Sequence, residues 1–210
     1  MSKRSNTVFH SARRALAAGI VAGVGLVALA LPAWPQTSTR EHASVATSTG
    51  FTLHSPDIAN GKRIAAAQVF NSFGCTGSNV SPALSWSNAP EGTRSFAVLA
   101  YDPDAPTGSG WWHWVVYNIP AEVTSLPAGA GDPKKSLMPP GAVQGKTDFG
   151  TSGYGGPCPP PGKPHRYYFR VFALKVPKLD VPADATAAFI GFNVNANALG
   201  KAEIMGLYGR

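Results

Sequence analysis

The chain predicts an all-β domain: a two-sheet β-sandwich with one or two small helices. From residue 51 onward, short apolar runs alternate with clusters of Gly, Pro, Asn and Asp, and the runs are rich in β-branched and aromatic residues. Glycine and proline supply 23 and 19 of the 210 residues with no internal repeat, so ordered loops rather than long helices or stacked units must fill the remaining length.

Residues 1–33 read as an export signal. Lys3, Arg4, Arg13 and Arg14 make a positive opening, residues 15–31 carry no charge, and Ala28-Leu29-Ala30 offers a small-residue cleavage pattern. The apolar run is long for a signal core and short for a membrane span, so a retained N-terminal anchor is the alternative. Arg13-Arg14 also admits the twin-arginine route. Residues 34–50, rich in Thr, Ser and Ala without periodicity, read as a disordered tether. The folded domain is then 51–210, expected in the periplasm or secreted, with no stable membrane span after cleavage.

Within that domain the clearest strands are 95–101, 112–119, 167–174 and 203–208. Phe96-Ala97-Val98-Leu99-Ala100 is continuous in apolar residues, which predicts a central strand covered on both faces. Residues 184–199 are the helix candidate, with Asp184 as a capping residue and Gly200 as the stop. Asn193, Asn195 and Asn197 weaken that assignment by competing for backbone hydrogen bonds. The loop 126–140 offers no residue assignable to chemistry.

The sequence holds 18 basic and 11 acidic residues, but the first thirty residues contribute four of the basic ones and none of the acidic. The high pI is therefore mostly a property of the leader, and no basic block with interleaved aromatics remains to suggest nucleic acid as a partner. Two cysteines follow the leader, Cys75 and Cys158. In an oxidising compartment an even count favours a disulfide; two unrelated buried thiols are the alternative.

Polar groups concentrate at the strand ends. Asp102-Pro103-Asp104-Ala105-Pro106 fixes two φ angles in five residues, so a carboxylate is presented at small entropic loss. Asp102 follows the first central strand and His113 opens the next, among Trp111, Trp112 and Trp114. Asp104 is expected to cap the turn with its own side chain. Gly155-Gly156-Pro157 allows close backbone approach, and an unencumbered Gly156 N–H would suit an anionic oxygen. His165 follows Pro164, and Arg166 reads as an edge charge or ion-pair partner. Tyr154 and Tyr167 could wall a pocket.

The segments Asp102–Pro106 and Tyr154–Tyr167, with Ser81–Trp86, Gly141–Gly150 and the ending Gly206–Arg210, resemble the phosphatidylethanolamine-binding protein family, in particular its bacterial Raf-kinase-inhibitor-like branch. The resemblance covers 51–210 and implies the same two-sheet architecture. It matches Asp102 and His113 to the family's pocket aspartate and histidine. Together with Pro106, Asp148, Gly156, Pro157, His165 and Tyr167 they form the expected ligand-binding set. The Thr147-Asp148-Phe149 stretch departs by one residue from the family's usual Asn-Asp-Phe but keeps the carboxylate. The ending at Arg210, without an extra helix over the site, implies an open and shallow pocket.

Two imidazoles and a backbone N–H suit a phosphoryl oxygen. A neighbouring carboxylate disfavours a fully ionised phosphate and favours a ligand that also carries an ammonium group or a proton. The expected function is non-enzymatic binding of a small phosphorylated or zwitterionic ligand, such as a phospholipid headgroup, with no cofactor and no metal. A protein-inhibitory role is a further implication of the resemblance, although cytoplasmic kinases are out of reach of an exported chain. The rivals are a hydrolase using an Asp/His acid-base site, for which no Gly-x-Ser-x-Gly elbow is present; a metal site of Asp102, His113, Asp148 and His165, for which the spacing is not diagnostic; and a purely structural or interaction protein. Aromatic-rich strands also admit a homodimer, without a legible motif for one.

Overall fold

The computed structural model describes residues 50–210, so the leader expected over residues 1–33 and all but the last residue of the tether expected over 34–50 lie outside the described residues. Among the described residues eight strands form two antiparallel sheets, accompanied by one α-helix. The small sheet joins β1 (Thr52–His54), β2 (Leu84–Ser87) and β5 (Ser125–Leu126) in the order β1-β2-β5. The large sheet joins β3 (Ser95–Asp102), β4 (Trp111–Pro120), β6 (Val143–Gln144), β7 (His165–Leu174) and β8 (Ala198–Tyr208) in the order β6-β4-β3-β7-β8.

The apolar pattern of β3 explains its central place. Alternate residues Phe96, Val98 and Ala100 face the small sheet, where they pack with Phe51, Leu53, Leu84 and Trp86. Ala97 and Leu99 face the other way, into a second core with Val115, Phe172, Ile190 and Val194. The helix α1 (Ala187–Asn197) covers that second face, giving three layers. Among the described residues no helix is long and apolar enough to cross a membrane.

The helix is shorter than the expected 184–199. Asp184 belongs to the preceding turn, where Ala185 N–H donates to Pro182 O (3.0 Å), and the cap is Thr186, whose hydroxyl accepts from Phe189 N–H (3.2 Å). Gly200 does not stop it: β8 begins at Ala198, directly after the helix, so this strand is five residues longer at its start than expected. The three asparagines turn their side chains back on the helix, donating to the carbonyls of Phe189, Gly191 and Asn193 four residues earlier (2.9, 2.7 and 2.9 Å). The unassigned loop 126–140 holds a single 3-10 turn, Pro133–Lys135, capped by Asp132.

Candidate functional site

Antiparallel pairing brings three strand ends to one edge of the large sheet. Tyr101 pairs with Tyr168 on β7 and with Trp112 on β4, so Asp102 at the end of β3 lies beside the first residues of both neighbours. The β3–β4 register shifts here: Ala100 pairs with Trp114 but Tyr101 with Trp112, leaving His113 as the extra residue of a bulge. The bulge sends the His113 side chain to the face that carries Tyr167, whose ring it meets edge-on at 5.1 Å.

Each polar group is tied from behind. His113 Nδ1 donates to Gly155 O (2.6 Å), a carbonyl that can only accept, which fixes the proton on Nδ1 and leaves Nε2 for the cavity. Burial depresses the pKa of this imidazole, with the Gly155 bond and the Asp102 charge opposing, so the ring is neutral near pH 7 and Nε2 is an acceptor. His165 Nδ1 donates to Asp102 Oδ2 (2.8 Å), which leaves its Nε2 free in the same way. The other Asp102 oxygen accepts from Asp104 N–H (2.8 Å). Tyr167 is 2% exposed and its hydroxyl is buried without a hydrogen-bond partner. Burial first, and the nearby Asp102 charge second, hold the phenolic proton in place.

These four side chains floor a cavity of about 180 Å³ whose walls are mostly apolar: Phe73, Pro106, Trp111, Phe149, Pro159 and Pro160 are among its lining residues. The floor residues are 3% (Asp102), 5% (His113) and 2% (Tyr167) exposed.

The family model described as Phosphatidylethanolamine-binding protein matches residues 54–209. The chain is 54% identical to the UPF0098 protein YbcL of Escherichia coli K12 over 159 residues, which is 75% of this chain and 87% of that protein. It is 48% identical to the UPF0098 protein YbhB of the same organism over 156 residues, 74% of this chain and 98% of the relative. The fold superposes on the crystal structure of E. coli YbcL, described as a new member of the mammalian PEBP family, with a TM-score of 0.74 at 53% identity, covering 76% of this chain and 98% of that one. A homologue from Chlamydia trachomatis gives a TM-score of 0.64 at 32% identity, over 78% and 99% of the two chains. The chain belongs to the phosphatidylethanolamine-binding protein family.

Of the eight residues expected to bind a ligand in this family domain, five line the cavity: Asp102, Pro106, His113, His165 and Tyr167. Gly156 does not. Its N–H is occupied by Asn79 Oδ1 (2.7 Å), and a Cβ there would stand 2.0 Å from Gln68 O, so this glycine serves a close backbone crossing and not a ligand. Pro157 is buried in the same crossing, its carbonyl accepting from Phe70 N–H (3.1 Å). Asp148 is exposed and its carboxylate caps the start of β4 by accepting from Trp112 N–H (2.8 Å). With Asp148 outside, the four-residue metal set does not assemble; among the described residues no group of three or more His, Cys, Asp or Glu converges as metal ligands do.

Asp104 does not cap the turn with its side chain; Asp102 does. Asp104 instead forms a forked ion pair with Arg166 (2.9 and 2.7 Å) and accepts from the Arg166 N–H (2.9 Å), stapling the β3–β4 loop to β7. That guanidinium holds the Asp104 pKa down at about 2. Tyr154 is structural, its hydroxyl donating to Gln68 O (3.0 Å). Cys75 and Cys158 form a disulfide.

Sequence reasoning missed the aromatic walls. Phe149 follows Asp148 directly, and its ring rests on Gly155, where a Cβ would come within 2.3 Å of it. Phe73 sits two residues before Cys75. The doubled glycine and the lone cysteine were signals of close packing there, but neither names its partner.

Proposed function

We propose that this protein binds, without turning it over, a small phosphorylated or zwitterionic ligand of the kind a phospholipid headgroup presents, in the cavity floored by Asp102, His113, His165 and Tyr167. The observation that carries this reading is the Tyr167 hydroxyl, a buried donor beside the Asp102 carboxylate but without a well-formed hydrogen bond to the protein, on the floor of a cavity shared with two imidazoles. A phosphoryl oxygen supplies the missing acceptor. His165, held from behind by Asp102, turns its Nε2 to a second phosphoryl oxygen. Neutral His113 accepts the ligand's own proton or an ammonium N–H. The buried Asp102 carboxylate weighs against a dianion and toward a ligand that brings positive charge or a proton.

An extracytoplasmic site of action is supported by the leader composition and by the Cys75–Cys158 bridge, which suits an oxidising compartment. An inhibitory contact with another protein is compatible with the same cavity mouth.

The test is calorimetric titration with phosphoethanolamine and inorganic phosphate. Tighter binding of phosphoethanolamine is expected in the wild type, with the ratio narrowed in Asp102→Asn and both affinities reduced in His165→Ala. Equal ratios in wild type and Asp102→Asn, or no binding of either compound, overturn the proposal.

A further inference from the structure

The segment 158–164 forms part of the cavity wall with little backbone bonding to hold it. Four of its seven residues are prolines, which carry no N–H, so a ladder cannot form there. Past Pro157, whose carbonyl accepts from Phe70 N–H, two ties join the segment to the turn at 70–77. One is the covalent link from Cys158 to Cys75. The other is the Arg210 side chain, which donates to Pro159 O (2.6 Å) and to Gly74 O (3.3 Å). Cys158, Pro159 and Pro160 line the cavity, so loosening this segment loosens a wall. The floor has its own support, because Asp102, His113, His165 and Tyr167 stand on strands of the large sheet.

The two sulfurs of the bridge differ in their surroundings. Cys75 is 8% exposed, whereas Cys158 is half-buried and lines the cavity, so a thiolate arriving from solvent meets Cys158 first. Cys158 Sγ lies 3.5 Å from the carbonyl oxygens of Ser72 and Phe73. In the bridged form it has no hydrogen to give them; once reduced, its S–H finds acceptors already in place. On the other side, Arg210 is bonded to the carbonyl of Gly74, the residue before Cys75, and its charge suits a thiolate leaving there. The turn between is wound against its preference, since Phe73 holds φ 55°, a region that a bulky aromatic rarely adopts.

We infer that Cys158 is the point at which a dithiol reductant opens the Cys75–Cys158 bridge, and that opening it frees the 158–164 wall and weakens binding at the floor; the effect on binding rests on the proposed ligand site. The reductant's thiolate attacks Cys158 Sγ, a new S–S bond forms there, and the old bond breaks with its electron pair on the Cys75 sulfur, which takes a proton from water. The reductant's second thiolate then attacks the reductant sulfur of this mixed disulfide, and Cys158 leaves and is protonated. The protein gains two thiols and the reductant becomes a disulfide. In an oxidising compartment the bridge is the resting state, so reduction is the signal that slackens the cavity.

The experiment treats the folded full chain with glutathione and, separately, with dithiothreitol, blocks free thiols by alkylation and maps the products by mass spectrometry. Glutathione should be found on Cys158 with Cys75 alkylated, and dithiothreitol should leave both cysteines alkylated with the circular dichroism of the fold kept. A bridge that opens only in urea, a mixed disulfide on Cys75, or loss of the folded signal on reduction overturns the exchange site. Hydrogen exchange of the reduced protein should quicken at the bonded amides of Cys75, Gly77 and Gly162 and stay unchanged in the strands that carry the floor; unaltered exchange at those three amides overturns the freed wall. Phosphoethanolamine should bind about tenfold more weakly to the reduced protein and to Cys75→Ala/Cys158→Ala, because the freed wall must be ordered on binding. Equal affinities of the bridged and reduced forms overturn the coupling to the floor. Failure of phosphoethanolamine to bind either form overturns the floor reading and the coupling with it, while mapping and hydrogen exchange decide the exchange site by themselves.

Discussion

Replacing Tyr167 with phenylalanine should stabilise the free protein and weaken its binding at once. In the wild type the hydroxyl is buried with no partner. Such an orphan costs about 1–3 kcal/mol, and its place beside a cavity that opens to solvent sets the figure at the lower end, ~1 kcal/mol. For a domain of this size a gain of ~1 kcal/mol raises Tm by about 2–4 °C. The shape of the site is kept, because the ring still meets His113 at 5.1 Å and His165 at 6.5 Å. In the proposed complex the same hydroxyl donates to a charged phosphoryl oxygen, a bond of about 1.5–3 kcal/mol, so Tyr167→Phe should lower affinity for phosphoethanolamine by about 10- to 100-fold. Urea or thermal unfolding of the unliganded variant, followed by calorimetric titration, reads both quantities. A variant that is less stable than wild type and binds as well would show that the hydroxyl is a structural group, and the reasoning about the floor would fall.

Removing the disulfide with Cys75→Ala/Cys158→Ala should cost up to about 4.5 kcal/mol, from the loop entropy released over 83 residues, seen as a lower urea midpoint with a steeper slope because the unlinked denatured chain exposes more surface; a shift of the midpoint too small to measure would refute it. His113 has its folded pKa depressed by burial, so its neutral form contributes nothing to pH dependence above the unfolded value near 6.5. Below that value the unfolded chain takes a proton that the folded chain resists. Stability should therefore fall on acidification from pH 7 toward pH 5, by at most about 1.4 kcal/mol per pH unit from this group. His113→Asn, which keeps a donor for Gly155 O, should flatten that slope in parallel urea titrations; an unchanged slope would assign it to other groups. Asn79→Ala leaves the Gly156 N–H and Tyr154 O without their partner and should cost about 1–3 kcal/mol in chemical denaturation, whereas a neutral effect would mean the crossing is held by Phe70 and Pro157 alone.

Long strands were readable because each carries its own pattern: β3, β4 and β7 are apolar enough over eight to ten residues to declare themselves, and all three hold floor residues. The small sheet was not, since β1, β2 and β5 have two to four residues each and are defined by their partners rather than by periodicity. Asp102, His113 and His165 stood out by residue type and turn context, but it was the family resemblance that matched Asp102 and His113 to pocket residues. Gly156 and Asp148 were misjudged for one reason: a glycine and a carboxylate near a site have structural uses, a close crossing and a strand cap, that look the same in sequence as ligand contacts. Phe73 and Phe149 escaped because an aromatic residue announces a core, and only tertiary placement makes it a wall.

The bulge at His113 ties the site to arithmetic. Within Trp111-Trp112-His113-Trp114 the imidazole reaches the floor only because one residue is left over between two ladder partners. Shortening this stretch by a single amino acid would restore even pairing and swing the next side chain toward the helical layer, although every floor residue elsewhere kept its identity. Spacing here is inherited information as much as chemistry is, and a domain of this kind can lose the geometry of its cavity floor by a change of count that leaves its composition almost untouched.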